Sequence, residues 1–198
     1  MNIVCVVAVR MGSSRLPGKA LIEVNGTPLL GHLLDRLSGC SSLDKLVVAT
    51  TRLAEDDPIK QCCEGRNVVC YRGSPPDVLE RLTMAFTSHG ADIGVTVYGD
   101  GPLIDPAIVD QAVALYQSVG TFDFVGNDLK TTYPAGMEVE VFSIESLQRA
   151  DTMCNDFDVR EHGTLFLRQH PEIFRIHNFE AQHPLRRPDL SLEVDAPE

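Results

Sequence analysis

The chain has 198 residues, of which 43% are hydrophobic, enough to fill the core of one domain. The 17 Lys and Arg stand against 28 Asp and Glu, a formal charge of −11 that argues against a nucleic-acid surface and against a basic membrane-surface helix. No apolar run reaches the length of a membrane span, and Met1–Val9 lacks the basic leader and cleavage site of a signal peptide.

Taken in chain order, Ile3–Val9 is a continuous β-branched run, as expected of a strand buried on both faces. Leu21–Val24 is short and ends at the turn signal Asn25-Gly26. Leu29, Leu30, Leu33, Leu34 and Leu37 fall at helical spacing, with Pro28 suited to the first turn. Leu46–Ala49 and Val68–Tyr71 read as strands, and Asp56/Asp57-Pro58 opens a short helix between them. Val78, Leu79, Leu82, Ala85 and Phe86 repeat the helical spacing after Pro75-Pro76-Asp77. Ile93–Val97 is a further buried strand, and Asp105-Pro106 caps a helix through Tyr116. Phe122–Val125 and Val139–Phe142 read as strands, and Ile144–Met153 and Arg160–Gln169 as helices. Ile173–His177 and Leu190–Val194 complete the set as final strands. This alternation predicts an α/β fold: a mostly parallel sheet with helices on both faces. Ligands on such sheets lie beyond the carboxyl ends of the strands. The loops after Val9, Tyr71 and Val97 should therefore meet in one cleft.

The six cysteines form no CxxC pair, and we read them as reduced thiols of a cytoplasmic protein without a zinc site. His32, His89, His170, His177 and His183 show no ligand spacing.

The segment Arg10–Lys19 carries three cations, two serines and two glycines directly after the first strand. Glycines admit backbone N–H groups to a phosphate, and cations neutralise it. It is not a Walker A loop, because the Gly12-to-Gly18 spacing is one residue too long and Ala20 stands where a metal-holding hydroxyl belongs. Nor does it match GxGxxG, so a dinucleotide site is a poor reading.

Beyond this loop, further stretches complete a pattern in fixed order. They are Tyr71–Arg81, Gly99–Pro106, Tyr133–Phe142, Arg160-Glu161-His162 and Val194–Glu198. Together they resemble the cytidylyltransferases that activate acidic sugars, such as the CMP-sialate and CMP-3-deoxy-manno-octulosonate synthetases. The likeness is greatest to the spore coat polysaccharide biosynthesis protein F branch. The resemblance covers almost the whole chain. It implies a three-layer α/β/α, Rossmann-like nucleotidyltransferase fold over a single domain, residues 1–198. It also implies an excursion at 127–170 for the acceptor sugar and dimer contact. The chain ends three residues beyond Asp195, where members of the family continue with a helical segment.

The resemblance implies transfer of CMP from CTP to a sugar acid, with release of pyrophosphate, for surface polysaccharide synthesis. Mg²⁺ would be the cofactor, in a cytoplasmic protein that is often a homodimer in relatives. Nucleic acid and membranes are not implied as partners. By the same resemblance Ala8, Arg10, Gly12, Ser13, Lys19, Arg72 and Asp77 would surround the nucleotide. Arg10, Lys19 and Asp100 would serve the chemistry, and Asp100 and Asp195 would hold the metal. Gly136, Glu138, Glu140, Arg160 and His162 would shape the sugar pocket. Plainer readings stand beside several of these residues. Asp77 sits where a helix N-cap belongs, and Arg15 suits either a phosphate or a nearby carboxylate. Arg160 suits either a sugar carboxylate or a solvated first helical turn.

The chain departs from the family pattern at several points. Ala8-Val9 replace Gln-Ala, Thr96-Val97-Tyr98 replace Arg-Val-Thr, Ala135 replaces Asp, and Leu165 replaces Pro. Ser191 replaces an Arg, for which Arg186 or Arg187 could substitute. Two alternatives stay open: a nucleotidyltransferase with another base or acceptor, and a non-catalytic nucleotide- or sugar-binding module.

Overall fold

Strand β1, Ile3–Ala8, is buried over nearly its whole length, because it is paired on both edges and covered on both faces. The computed structural model describes residues 1–13 and 15–195. On one edge β1 pairs in parallel with β4, Lys45–Thr51, which pairs in parallel with β5, Val69–Gly73. On the other edge it pairs in parallel with β6, Ile93–Tyr98. Beyond β6 lies β8, Glu140–Ser143, antiparallel to its neighbours, then β7, Phe124–Gly126, and β9, Ile176–Asn178. The order β5-β4-β1-β6-β8-β7-β9 is the mostly parallel sheet that the alternation predicts. A short antiparallel hairpin, β2 (Glu23–Val24) and β3 (Thr27–Pro28), turns at Asn25-Gly26, where both residues have positive φ.

Side chains alternate across β1, so successive residues feed different cores. Cys5 and Val7 join the apolar faces of α1 (Leu29–Leu37), α2 (Asp57–Gly65) and α4 (Pro106–Val119). Val4 and Val6 join α3 (Val78–Ser88), α5 (Ile144–Met153) and α7 (Leu165–Gln169). Two cores on one sheet give the three-layer α/β/α architecture. Within 127–170, β8 enters the sheet, and α5 and α7 cover its second face. Among the described residues no helix is long and apolar enough to cross a membrane.

Two expectations are corrected. The stretch Arg160–Gln169 is not one helix but two, α6 (Phe157–Glu161) and α7, parted at Gly163, whose φ of 59° lies in the left-handed region. Leu190–Val194 does not form a strand. It is mostly exposed and runs extended, with a single bridge between Ala135 and Ser191. The neighbouring Arg, Pro and Asp residues supply too little apolar surface to bury it in the sheet.

Candidate active site

The loop after β1 is held by the protein's own hydrogen bonds. The Met11 carbonyl accepts both the Ser13 and Gly18 N–H groups, at 2.9 Å each, which folds the loop back on itself. The Met11 N–H donates to Asp56 Oδ1 at 2.7 Å. Asp56 is fully buried and also accepts the N–H and hydroxyl of Thr51 at the end of β4. A buried carboxylate therefore anchors the cationic loop to the sheet. The sequence marks Asp56 only as a helix opener; nothing local signals its tertiary partner. Gly12 lies against the Glu55 side chain, and Ser13 Oγ accepts the Leu16 N–H at 3.3 Å.

Lys19 ends the loop and brings two distant acids together. Its Nζ lies 3.1 Å from Asp195 Oδ1 and 3.4 Å from Asp100 Oδ2. Arg15 pairs with the other oxygen of Asp195. Arg186 and Arg187 do not take the place of the family's missing Arg, because they pair with Glu180 and Asp189. Arg15 and Lys19 are the cations beside Asp195.

Asp100 follows β6 directly, whereas Asp195 is placed by stacked backbones. A Cβ on Gly101 would lie 2.5 Å from the Gly136 carbonyl oxygen, and one on Gly136 would lie 2.8 Å from the Glu193 nitrogen. Only glycine allows such approach, and Gly136 also has φ of 92°. The Val194 N–H then donates to the Asp100 carbonyl at 2.8 Å. Gly136 thus packs the C-terminal segment rather than lining a cavity. Glu138 braces this turn, accepting the Gly136 N–H at 2.8 Å, and burial pushes its carboxyl above the usual range.

Two adjoining cavities open at the carboxyl ends of β1 and β6, sharing Ala8, Val9, Arg10, Tyr98 and Asp100. The smaller, about 240 Å³, adds Ser13, Arg15, Lys19 and Asp195. The larger, about 420 Å³, adds Val78, Arg81 and Leu82 from α3, and His162, Gly163 and Arg168 from the α6–α7 corner. Arg10 reaches across its mouth to Glu161 at 2.9 Å.

Under Tyr98 lies a buried polar network. Glu140, fully buried, accepts the Tyr98 hydroxyl at 3.1 Å and the Thr164 hydroxyl at 2.7 Å. Arg168 stands 3.5 Å from Glu140 and pairs with Asp128. Burial, and next the charge of Asp128, push Glu140 up to about 7. Glu140 holds Tyr98 from beneath and does not line either cavity. Tyr98, Thr164 and Arg168 escaped the sequence reading as site residues, although the departure at 96–98 marked the place.

Besides Gly136, Glu138 and Glu140, three more predicted residues are spent elsewhere. Asp77 caps α3, its Oδ1 accepting the Glu80 N–H at 2.9 Å, while Oδ2 accepts from Arg160 Nε at 2.7 Å. Arg160 also donates to the carbonyls of Asp151 and Cys154 and pairs with the Asp151 carboxylate. All of its guanidinium nitrogens are engaged, so it is neither a free anchor for a sugar carboxylate nor a solvated side chain. It rivets α3 to the α5–α6 corner. Arg72 donates to the Thr51 and Leu53 carbonyls and pairs with Asp57, outside both cavities. Ala8, Arg10, Ser13, Lys19, Asp100, His162 and Asp195 do converge on the cavities.

Asp100 and Asp195 offer two hard oxygen donors around one positive charge, the Lys19 ammonium. Mg²⁺ takes one or two protein carboxylates and completes its shell with water and phosphate oxygens, so this pair fits it. Among the described residues no group of three or more His, Cys, Asp or Glu forms a self-sufficient metal cage.

A family model described as cytidylyltransferase matches residues 4–193. A solved cytidylyltransferase from Leptospira borgpetersenii superposes with a TM-score of 0.90 at 30% identity, over 98% of this chain and 80% of that one. An uncharacterized protein of Methanocaldococcus jannaschii is 32% identical over 98% of this chain and 79% of its own length. Spore coat polysaccharide biosynthesis protein SpsF of Bacillus subtilis is 28% identical over all of this chain and 82% of its own length. A CMP:2-keto-3-deoxy-manno-octonic acid synthetase, solved with CTP, shares the fold at TM-score 0.75 and 19% identity. The match over nearly every residue, joined to the loop and the aspartate pair, places this chain in the cytidylyltransferase family.

Proposed function

We propose that the chain transfers CMP from CTP to an acidic or modified sugar and releases pyrophosphate, in a route to surface polysaccharide. The observation that carries this reading is Lys19 Nζ held between Asp100 and Asp195, inside a loop that also presents Arg10 and Arg15. The triphosphate would lie along the smaller cavity, with the pyrimidine against the backbone at Ala8 where the cavities meet. The acceptor sugar would occupy the larger cavity, within reach of His162.

In the reaction an acceptor hydroxyl oxygen forms a bond to the α-phosphorus and gives up its proton to solvent, and the bond from that phosphorus to the bridging oxygen of pyrophosphate breaks. Negative charge gathers on the leaving group. Cations fixed beforehand stabilise it without reorganising. Lys19 and Arg15 do this from the loop. Arg10 exchanges Glu161 for a phosphate oxygen as the nucleotide enters. Asp100 and Asp195 would hold Mg²⁺, which supplies charge neutralisation at the phosphate oxygens. The free thiols and the need for CTP support a cytoplasmic setting.

The test is pyrophosphate release with CTP and a panel of sugar acids, beside thermal shifts with CTP, UTP, GTP and ATP. Turnover with at least one acid and the largest shift with CTP are expected. Absence of CTP binding by calorimetry overturns the reading.

A further inference from the structure

Arg81 lies on the wall of the larger cavity yet is only 2% exposed. Its Nη1 donates to the carbonyls of Ser74 at 2.6 Å and Pro75 at 3.5 Å. Its Nε–H is buried without an acceptor. Among the described residues no carboxylate pairs with it. The acids nearest in charge are Asp56, Glu80 and Asp77, and none of them forms an ion pair with it: Asp56 is taken by the Met11 N–H and Thr51, and Asp77 by Arg160. Arg168, the other arginine deep in this wall, is balanced by Asp128 and Glu140.

A buried guanidinium without a counter-charge is costly, and a protein keeps one where an anion comes to it. Burial, and next the like charge of Arg10, hold Arg81 below the usual arginine range, against the opposing charges of Asp56, Glu80 and Asp77. The phosphate-facing cations Arg15 and Lys19 belong to the other cavity. Val78 and Leu82, one turn apart on α3, flank Arg81 with apolar surface suited to the C–H face of a sugar ring. Arg160, the arginine that the motif offers for a sugar carboxylate, is fully engaged elsewhere.

We infer that Arg81 receives the carboxylate of the acceptor sugar and so selects acidic over neutral acceptors; this rests on the nucleotidyl-transfer reading of the site. A neutral acceptor would leave the guanidinium buried and unpaired, and sites of that kind reject such analogues strongly.

The experiment compares 3-deoxy-manno-octulosonate and N-acetylneuraminate with their methyl esters. The proteins are wild type, Arg81→Gln and Arg81→Lys, each checked for an unchanged melting profile. CTP binding is measured by calorimetry alongside. In wild type the acid should be preferred over its ester by about 10- to 100-fold in KM, the span of a charge-assisted hydrogen bond. Arg81→Gln should erase that preference by raising the KM of the acid alone, with CTP affinity unchanged within about twofold. Arg81→Lys keeps the charge and should retain part of the preference. An acid-to-ester ratio unaffected by either substitution overturns the proposal, as does a loss confined to CTP affinity, which would assign Arg81 to the base. A wild type that binds CTP but treats acids and esters alike, in turnover or in binding, overturns it too. A wild type that binds no CTP fails the parent reading, and this proposal falls with it.

Discussion

Lys19 does at the scale of one residue what the site needs as a whole: it holds two carboxylates, one from mid-chain and one from the C-terminal segment, around one charge. Lys19→Met should lower kcat/KM by about 10²- to 10³-fold, the usual cost of one fixed charge-stabilising donor. Steady-state pyrophosphate release measures it, and activity within threefold of wild type would place the phosphates elsewhere. Glu140 gives a pH prediction. Its carboxyl is raised to about 7 in the folded chain, against the ordinary 4.5 when unfolded. Between those values the folded state holds a proton that the unfolded state has lost, so this group's contribution falls as pH rises through that window. Glu140→Gln, which keeps a neutral acceptor for Tyr98 and Thr164, should therefore gain stability relative to wild type between pH 5 and 8. Urea denaturation at both pH values reads this; a variant that loses stability relative to wild type as pH rises would contradict it. At this scale the sequence was readable where function rests on local pattern, as with the cations of the first loop. It was not readable for Asp56, Glu140 or Arg160, whose partners lie far away in the chain.

Elements bring these residues together by two devices, paired strands and stacked glycines. The parallel strands were legible because burial on both faces writes continuous apolar runs into the sequence. The final segment was not, because an alternating pattern at Leu190–Val194 mimics a strand. What fixes this segment is backbone packing against Gly136 and Gly101. Gly136→Ala should undock it and move Asp195 away from Lys19. The expected result is loss of at least 10-fold in kcat/KM, with a stability loss of only about 1–3 kcal/mol from the strained φ. Unchanged activity would separate Asp195 from the chemistry. The Asp77–Arg160 rivet is the opposite case. Arg160→Ala leaves Asp77 and Asp151 facing each other with little solvent, a loss of roughly 3 kcal/mol of stability. The KM for the sugar acid should stay within about twofold of wild type. A large KM change without a change in urea midpoint would restore Arg160 to the sugar pocket.

Over the whole molecule, the charge of −11 coexists with a cleft whose first-loop cations are each paired internally. Arg10 meets Glu161, Arg15 meets Asp195, and Lys19 meets both aspartates. On the proposed reading a nucleoside triphosphate would exchange partners with the protein's own carboxylates, and Asp100 and Asp195 would hold a divalent cation in place of Lys19 and Arg15. The fold class and the family were legible from the ordered motifs, of which the first loop, Tyr71–Arg81 and Gly99–Pro106 mark the ends of parallel strands that the sheet carries to one edge. How the charges are paired across the cleft was not, because pairing depends on the α6–α7 corner and the C-terminal segment, both of which the sequence misstates. The central claim is that this cleft transfers CMP from CTP, with Asp100 at its centre. The most direct measurement is pyrophosphate release from CTP with Mg²⁺ and a panel of sugar acids, in wild type and in Asp100→Ala. The account predicts acid-dependent release by the wild type and a loss of at least about 10²-fold in the variant. Equal release by the two proteins, or none from the wild type with any acid, would contradict it.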